Sequence, residues 1–377
     1  MKIDKYTAIL GNAVGYHDMD SLTRNRPLAN LPFDGKYRLI DFQLSSLANA
    51  GIRSVYGIFR GQNIRSVFDH IRSGREWGLN TLMSHYFLGF YNSDSETSMA
   101  DEDYYGQILT YLKRSGSDQT VYMSCDILSN INLEQVIHLH NANQRTITVV
   151  YKKLPKEAIS SANEILAIDQ ADNVIGKQSL EDVDGSVPMS ADMYVVNTAW
   201  LIDQLEKEAQ KEVSRKLRYL LRELIVSEKA LAFEYTGYLA NISSVKSYYD
   251  ANMDMLDPQK CYSLLYSNQK VYTKVKNEEA TYFAPSSAVN TAQFASGSVI
   301  YGEVNHAIVS RSCHIAQGSR VDHSLLFPKV IIEEGAVVEY AIIDKNVIVP
   351  AGVTLKGTAE NPLVIGKGQV ITGDIVQ

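Results

Sequence analysis

The first residues whose types and spacing could do chemistry are Gly11-Asn12-Ala13-Val14-Gly15-Tyr16-His17-Asp18, which follow the apolar run Tyr6-Thr7-Ala8-Ile9-Leu10. A strand that ends in a glycine loop can turn backbone N–H groups toward a phosphate, usually with a Lys or Arg alongside to offset the anion's charge. Gly11, Asn12 and Gly15 are a remnant of such a cradle. The loop holds no cation and closes on Asp18, so it reads as a phosphate loop without its positive charge. Cys125, Cys261 and Cys313 are scattered and lack CxxC spacing. They point to small buried apolar side chains rather than a disulfide framework or a zinc site. The 23 Tyr residues cluster, as at Tyr104-Tyr105 and Tyr248-Tyr249. Stacking on a base or sugar is one use for them, and half-buried packing with the hydroxyl in water is the expected one.

The elements that must position these side chains follow from periodicity. Residues 6–255 alternate short β-branched runs with amphipathic stretches, the pattern of a mainly parallel α/β sheet with helices on its faces. The spacing predicts strands at 6–10, 54–59, 120–124, 146–151 and 193–196, and helices at 42–49, 64–71, 133–140 and 200–225. Each helix follows a strand at βαβ spacing, which places a ligand site at the carboxyl ends of the strands. A last helical run over 249–256 ends at Asp257-Pro258.

Beyond that point the chain repeats. Ile315-Ala316-Gln317-Gly318-Ser319-Arg320-Val321 recurs at 332–338 and again at 349–355, an offset of 17 each time, with Gly318, Gly335 and Gly352 in register. An aliphatic residue every five or six positions, with small residues at the corners, is what a triangular parallel β-helix requires. Its flat flanks and open ends suit subunit contacts. Hexapeptide-repeat acyltransferases use the same coil with a catalytic His, and His306, His314 and His323 lie here. A surface or corner role is the expected one for these histidines, and a long α/β domain in front fits a dedicated acyltransferase poorly.

At 377 residues the chain has room for two domains. With 45% apolar and 21% charged residues it has the composition of an ordinary globular protein, and its formal net charge of −7 argues against nucleic acid as a partner. The opening Met1-Lys2-Ile3-Asp4-Lys5 has no apolar leader, and no stretch reaches the roughly 18 apolar residues of a membrane span. No membrane partner is expected, and a cytoplasmic location is.

The segment Arg26-Pro27-Leu28-Ala29-Asn30-Leu31-Pro32-Phe33-Asp34-Gly35-Lys36-Tyr37-Arg38-Leu39-Ile40-Asp41-Phe42-Gln43-Leu44-Ser45-Ser46 runs on to Asn49-Ala50-Gly51-Ile52. It resembles the glucose-1-phosphate adenylyltransferase (ADP-glucose pyrophosphorylase) family, where G-K-x-R-x-I-D-F-x-L-S-N and then N-S-G-I follow the nucleotide loop. His70-Ile71-Arg72-Ser73-Gly74, Asp250-Ala251-Asn252-Met253-Asp254-Met255-Leu256 and the C-terminal coils are similar to it as well. The resemblance spans essentially the whole chain. It implies a Rossmann-like nucleotidyltransferase domain over 1–257, a linker over 258–284 and a left-handed parallel β-helix of hexapeptide repeats over 285–377. The implied chemistry is attack of glucose 1-phosphate on the α-phosphorus of ATP with release of pyrophosphate. Loop cations and Mg²⁺ on two Asp carboxylates would neutralise the developing charge.

Matched position by position, the family's G-G-R-G-S-R-L loop falls on residues 11–18, where both Arg are missing, and its next Lys falls on Leu28. The first metal Asp matches Asp126 in Ser124-Cys125-Asp126-Ile127, and the second falls on Asn241. An Asn oxygen brings no charge to a hard cation, so the Mg²⁺ expected of the family should bind weakly. On the sugar side, G-T-A-D-A has no counterpart between Gly106 and Gly116, E-K-P has no clean match around Gly176-Lys177-Gln178, and Asp192 sits where S-M-G-I-Y has its glycine. Losing one preorganised cation costs about 10²- to 10³-fold in rate, and several losses leave almost nothing.

The resemblance therefore implies the regulatory (D-type) kind of subunit of glycogen biosynthesis, catalytically silent or weak alone. Such a subunit joins a catalytic paralogous adenylyltransferase in a hetero-tetramer. An active sugar-phosphate nucleotidyltransferase with an atypical loop, and a hexapeptide-repeat acyltransferase, are the alternatives. In the resembled family, cations at the positions of Arg26 and Arg38 bind phosphorylated effectors. With Lys36, Arg65 and Arg72 they form the candidate anion site for a phosphorylated metabolite.

Overall fold

The computed structural model describes residues 5–12, 15–60, 65–81, 85–91, 97–99, 104–266 and 269–377. They form two compact units, each assembled from three separate stretches. The first comprises Met1–Gly15, Ile40–Asn241 and Ser267–Tyr272, and the second Tyr16–Leu39, Ile242–Tyr266 and Thr273–Gln377. This division is not the linear one at 257 and 285, because residues 16–39 count with the C-terminal coils.

The first unit contains strands β1 (Tyr6–Asn12), β2 (Ser54–Arg60), β3 (His85–Tyr91), β4 (Gln119–Met123), β5 (Ile127–Ser129), β6 (Ile147–Pro155), β7 (Ile165–Ile168), β8 (Val174–Gln178), β9 (Ser186–Asn197), β10 (Leu231–Glu234) and β11 (Leu239–Asn241). The main sheet runs in the order β8-β7-β9-β4-β1-β2-β3, with β6 paired to both β9 and β10. β1 pairs in parallel with β2 and β4, β2 with β3, and β6 with β10. β9 runs antiparallel between β4 and β6. The sheet is thus mainly parallel where β1, β2 and β4 bring their carboxyl ends together, as βαβ spacing requires.

Helices α1 (Leu39–Asn49), α2 (Arg65–Ile71), α3 (Tyr104–Ser115), α4 (Leu133–Ala142), α5 (Thr198–Ala209) and α6 (Leu217–Ser227) cover the sheet. Asn132 caps α4 by accepting from the Glu134 N–H, and Asn197 caps α5 by accepting from the Trp200 N–H, which fixes where each helix starts. The predicted helix at 200–225 is two helices. A short strand, Val213–Arg215, interrupts it, where β-branched Val213 and Ser214 disfavour helix and the buried Glu208 carboxylate accepts from the Arg215 N–H at 2.8 Å. Ile64, the expected start of the second helix, lies outside the described residues.

The tyrosines depart from expectation. Tyr56, Tyr104, Tyr105, Tyr111, Tyr122 and Tyr194 are buried in the core of this unit rather than half-exposed. Their hydroxyls find protein partners instead of water. Tyr104 accepts from the Leu217 N–H at 3.2 Å, and Tyr122 donates to the Gly11 carbonyl at 3.1 Å.

In the second unit, α7 (Val245–Met253) starts from a Ser244 capping box, and α8 (Pro258–Leu265) follows. Asp257-Pro258 therefore both ends the run that closes at Leu256, as expected, and begins a further helix. The Asp257 side chain accepts from the Gln259 and Lys260 N–H groups at 2.8 and 3.0 Å, and Pro258 fills the first helical position, where its missing N–H costs nothing. Residues 258–265 of the stretch expected as a linker thus form α8.

The C-terminal coils are a parallel β-helix. Ile300, Ile315, Ile332 and Val349 pair in succession along one stack, Val304, Val321, Val338 and Leu355 along a second, and Val309, Leu326, Ile343 and Ile365 along a third. All are buried in one core. The corners are left-handed: His306, Ser312 and Gly318, then His323, Lys329 and Gly335, have φ between 43° and 73°. Corners six, six and five residues apart account for the 17-residue repeat. No helix among the described residues is long and apolar enough to cross a membrane.

Candidate functional site

At the carboxyl end of β1 the expected cradle is partly explained by packing. Gly11 has φ 111°, and a Cβ there would lie 2.0 Å from the Ile58 carbonyl oxygen, its partner on β2. The neighbouring strand thus demands a glycine whether or not a phosphate is bound. Asn12 ends β1 as backbone, Ala13 and Val14 lie outside the described residues, and a Cβ on Gly15 would meet the guanidinium of Arg60. A cation therefore reaches Gly15 from Arg60 of β2, distant in sequence, which the loop's own composition concealed.

Asp126 follows β4 and is buried. Its Oδ1 accepts from the Ser124 hydroxyl, and its Oδ2 lies 2.6 Å from Nη1 of Arg218 on α6. Arg218 continues to Asp192, placing Nε and Nη2 at 2.9 and 2.5 Å from Oδ2. Arg222, one turn further along α6, clamps the same carboxylate with Nε 2.9 Å from Oδ1 and Nη2 2.7 Å from Oδ2. Tyr194 donates to Asp192 Oδ1 at 2.9 Å. Asp192 is fully buried; burial alone would push its carboxyl up, but Arg218 and Arg222 outweigh it and hold the carboxyl well below the ordinary range. It has φ 45° at the register shift between Ser190 and Met193, a backbone state that suits the glycine expected at this position.

The network extends outward. Arg222 Nη2 donates to the Ala162 carbonyl at 3.1 Å and Nη1 lies 3.5 Å from Glu164, which Lys177 meets at 3.2 Å. Lys177, in the segment compared with E-K-P, also pairs with Glu223 at 2.7 Å. Residues 106–115, in the stretch without a counterpart of G-T-A-D-A, belong to the unbroken α3.

β11 pairs antiparallel with β5 and sets Asn241 opposite Ile127, the residue that follows Asp126. Both its amide nitrogen and its amide oxygen are buried without a hydrogen-bond partner among the described residues. The donor set does not fit a divalent cation. One carboxylate is present, both of its oxygens already bind protein donors, and the neighbouring amide adds no charge. Among the described residues no group of three or more His, Cys, Asp and Glu could hold a metal ion.

The remaining candidates divide between the units. Arg65 and Arg72, in and just after α2 of the first unit, are exposed, Arg65 lying 3.9 Å from Asp69. In the second unit, Leu28 opens the short turn Leu28–Asn30 and is half-buried. Arg26 is buried, with Nη2 2.8 Å from both oxygens of Asp344. Arg38 donates from Nη1 to the Asn30 carbonyl at 2.9 Å, and Lys36 is exposed over the Tyr37 ring. Sequence reasoning missed Lys345. Burial, then Arg38 and Arg26, lower this ammonium to about 7 against the upward pull of Asp344. Lys276 is lowered too, by burial first and then by Arg311 and Arg38 among its neighbours. His306 and His323 stack at the coil corners, 4.6 Å between ring centroids, and His314 lies in a strand of another stack.

Residues 19–257 match the family described as nucleotidyl transferase, and residues 274–361 match the GlmU-like, C-terminal hexapeptide family. The chain is 30% identical over 362 residues to the glycogen biosynthesis protein GlgD of Bacillus subtilis (strain 168), covering 94% of this chain and 93% of that protein. It is 27% identical over 318 residues to glucose-1-phosphate adenylyltransferases of Bacillus mycoides (strain KBAB4) and Bacillus cereus (strain ATCC 10987 / NRS 248), covering 82% of this chain and 84% of each relative.

Proposed function

Because the chain belongs to the nucleotidyl transferase family, among relatives that include GlgD and the glucose-1-phosphate adenylyltransferases, we propose that it is a regulatory, catalytically silent or weak adenylyltransferase subunit of glycogen biosynthesis. The observation that carries this reading is the state of Asp126. The one carboxylate retained from the family's metal pair is spent on Ser124 and Arg218, and the position opposite the following residue, Ile127, holds a neutral Asn241. A site that must gather charge around a transferring nucleotidyl group has instead neutralised its own.

The subunit works through assembly with a catalytic paralogous adenylyltransferase, whose activity or effector response it alters. The second unit supports an effector role. Arg38, Lys276, Lys345 and the Arg26–Asp344 pair gather positive charge here, and burial, then Arg38 and Arg26, push Lys345 toward neutrality. A phosphorylated metabolite would relieve that repulsion.

The test measures ADP-glucose synthesis by this chain alone, by the paralogue alone and by the two co-expressed, with and without sugar-phosphate effectors. Little turnover by the chain alone, with altered kinetics for the co-expressed pair, is expected. Substantial turnover by the chain alone overturns the reading.

A further inference from the structure

The four charges of the cluster Asp126, Arg218, Asp192 and Arg222 do more than fail to bind metal. We propose that Arg218 is a built-in cation standing in for a divalent metal at Asp126, locked there by Asp192, so that restoring the missing carboxylate at 241 does not restore a metal site. The proposal rests on the reading of this chain as a silent subunit and names the residue that makes it silent toward metal.

Three N–H groups of Arg218 are fixed: Nη1 on Asp126 at 2.6 Å, and Nε and Nη2 on Asp192 at 2.9 and 2.5 Å. A guanidinium held by two carboxylates cannot swing away when a cation arrives without breaking three bonds and leaving its own charge buried and unpaired. Asp192 is held in turn, since Arg222 clamps it through two nitrogens and Tyr194 donates to it. All four charged side chains are buried, and two positive and two negative charges cancel. A divalent cation entering this cluster would meet a guanidinium at the oxygen it needs, and would raise the local charge rather than balance it.

The partnerless amide of Asn241 sharpens the distinction. A carboxylate at 241 would stand opposite Ile127, one residue along the chain from Asp126, and is the obvious candidate for a second ligand. With Arg218 present, however, that new carboxylate adds one negative charge to a neutral cluster whose best oxygen is taken. Metal affinity is therefore controlled by Arg218 more than by residue 241.

The experiment follows Mn²⁺ binding to the full chain by electron paramagnetic resonance, with thermal unfolding in EDTA and in Mn²⁺ as a second readout. The wild type and Asn241→Asp are expected to show weak or no binding and no metal-dependent shift in Tm. Asn241→Asp with Arg218→Gln is expected to bind at least ~10-fold more tightly than Asn241→Asp alone and to be stabilised by Mn²⁺. If that variant does not fold, Asn241→Asp with Arg218→Met and Asp192→Gly removes the guanidinium together with its second carboxylate. The φ of 45° at 192 accepts glycine, and Arg222 keeps Ala162 and Glu164.

Equal Mn²⁺ affinity with and without Arg218 in a folded variant overturns the proposal. So does wild-type binding that Asp126→Asn abolishes. The silent-subunit reading fails separately: turnover by the wild type that survives Asp126→Asn sinks that reading and leaves the role of Arg218 intact.

Discussion

Arg26 places its Nη2 2.8 Å from both carboxylate oxygens of Asp344, a pair 318 residues apart in sequence and closed inside the second unit. The guanidinium also lies over the Phe327 ring, 5.8 Å from its centroid, and its Nη1 is buried without a hydrogen-bond partner among the described residues. Such a pair is costly to break and cheap to replace, because removing one member strands a buried charge. Arg26→Met is expected to destabilise the second unit by about 3–5 kcal/mol, while Arg26→Met with Asp344→Leu recovers most of the loss. Denaturant titration of the wild type and the two variants checks this. Equal costs for the single and double changes would show that the pair contributes little beyond packing.

Lys345 gives a pH dependence with a definite sign. Burial, Arg38 and Arg26 hold its folded value near about 7, whereas an unfolded Lys titrates at about 10.4. Between those values the unfolded chain holds a proton that the folded chain lacks, so this residue makes stability rise with pH across that window. Anion binding has the opposite slope, because an anion favours the protonated amine. Sulfate, whose charge is constant here, is expected to take up protons on binding near neutrality and to bind more weakly as pH rises from about 6 to about 8. Calorimetry in buffers of different ionisation enthalpy reads both effects. A profile that persists unchanged in Lys345→Gln would place the titrating group elsewhere.

The parts of this molecule that were legible in the sequence are those enforced by a local period. Gly318, Gly335 and Gly352 are visible because each coil must turn three corners in 17 residues, and β1, β2 and β4 because buried strands need continuous apolar runs. The cluster at Asp126 was not legible. Arg218 and Arg222 sit four apart on a helix, the spacing of any solvated face, and their partners lie 92, 26 and 30 residues away. Asp192 in place of an expected glycine was the available hint, because a carboxylate in a buried strand must find cations. The splitting of 200–225 was missed because apolar periodicity continues through a break that Glu208 holds from the side.

The coil corners make a prediction about backbone strain isolated from packing. Gly335 has φ 67°, and a Cβ there would meet nothing within 4 Å. Gly335→Ala therefore changes only the left-handed penalty, expected at about 1–2 kcal/mol. Gly335→Asn should cost less, because Asn adopts this region more readily, as Asn346 does at an equivalent kind of corner with φ 59°. Thermal melts of the two variants rank them, and an alanine variant as stable as the wild type would mean the corner can relax into another conformation.

Gly11 and Gly15 both stand where a phosphate cradle is expected, yet the structure gives them different reasons to be glycine. At Gly11 a Cβ would press against the Ile58 carbonyl, which is backbone in the middle of a parallel pair, and φ is 111°. Neither the strand nor the dihedral can yield, so Gly11→Ala is expected to cost ~3 kcal/mol or more in the absence of any nucleotide. At Gly15 the obstructing atoms belong to the Arg60 guanidinium, the far end of a flexible side chain that can move aside. Gly15→Ala should cost less than ~1 kcal/mol. The comparison separates scaffold from chemistry: if glycine at 11 served phosphate binding alone, Gly11→Ala would leave denaturant stability unchanged and weaken only ATP binding. Chemical denaturation of both variants without ligand, followed by ATP titration of whichever folds, decides between the two.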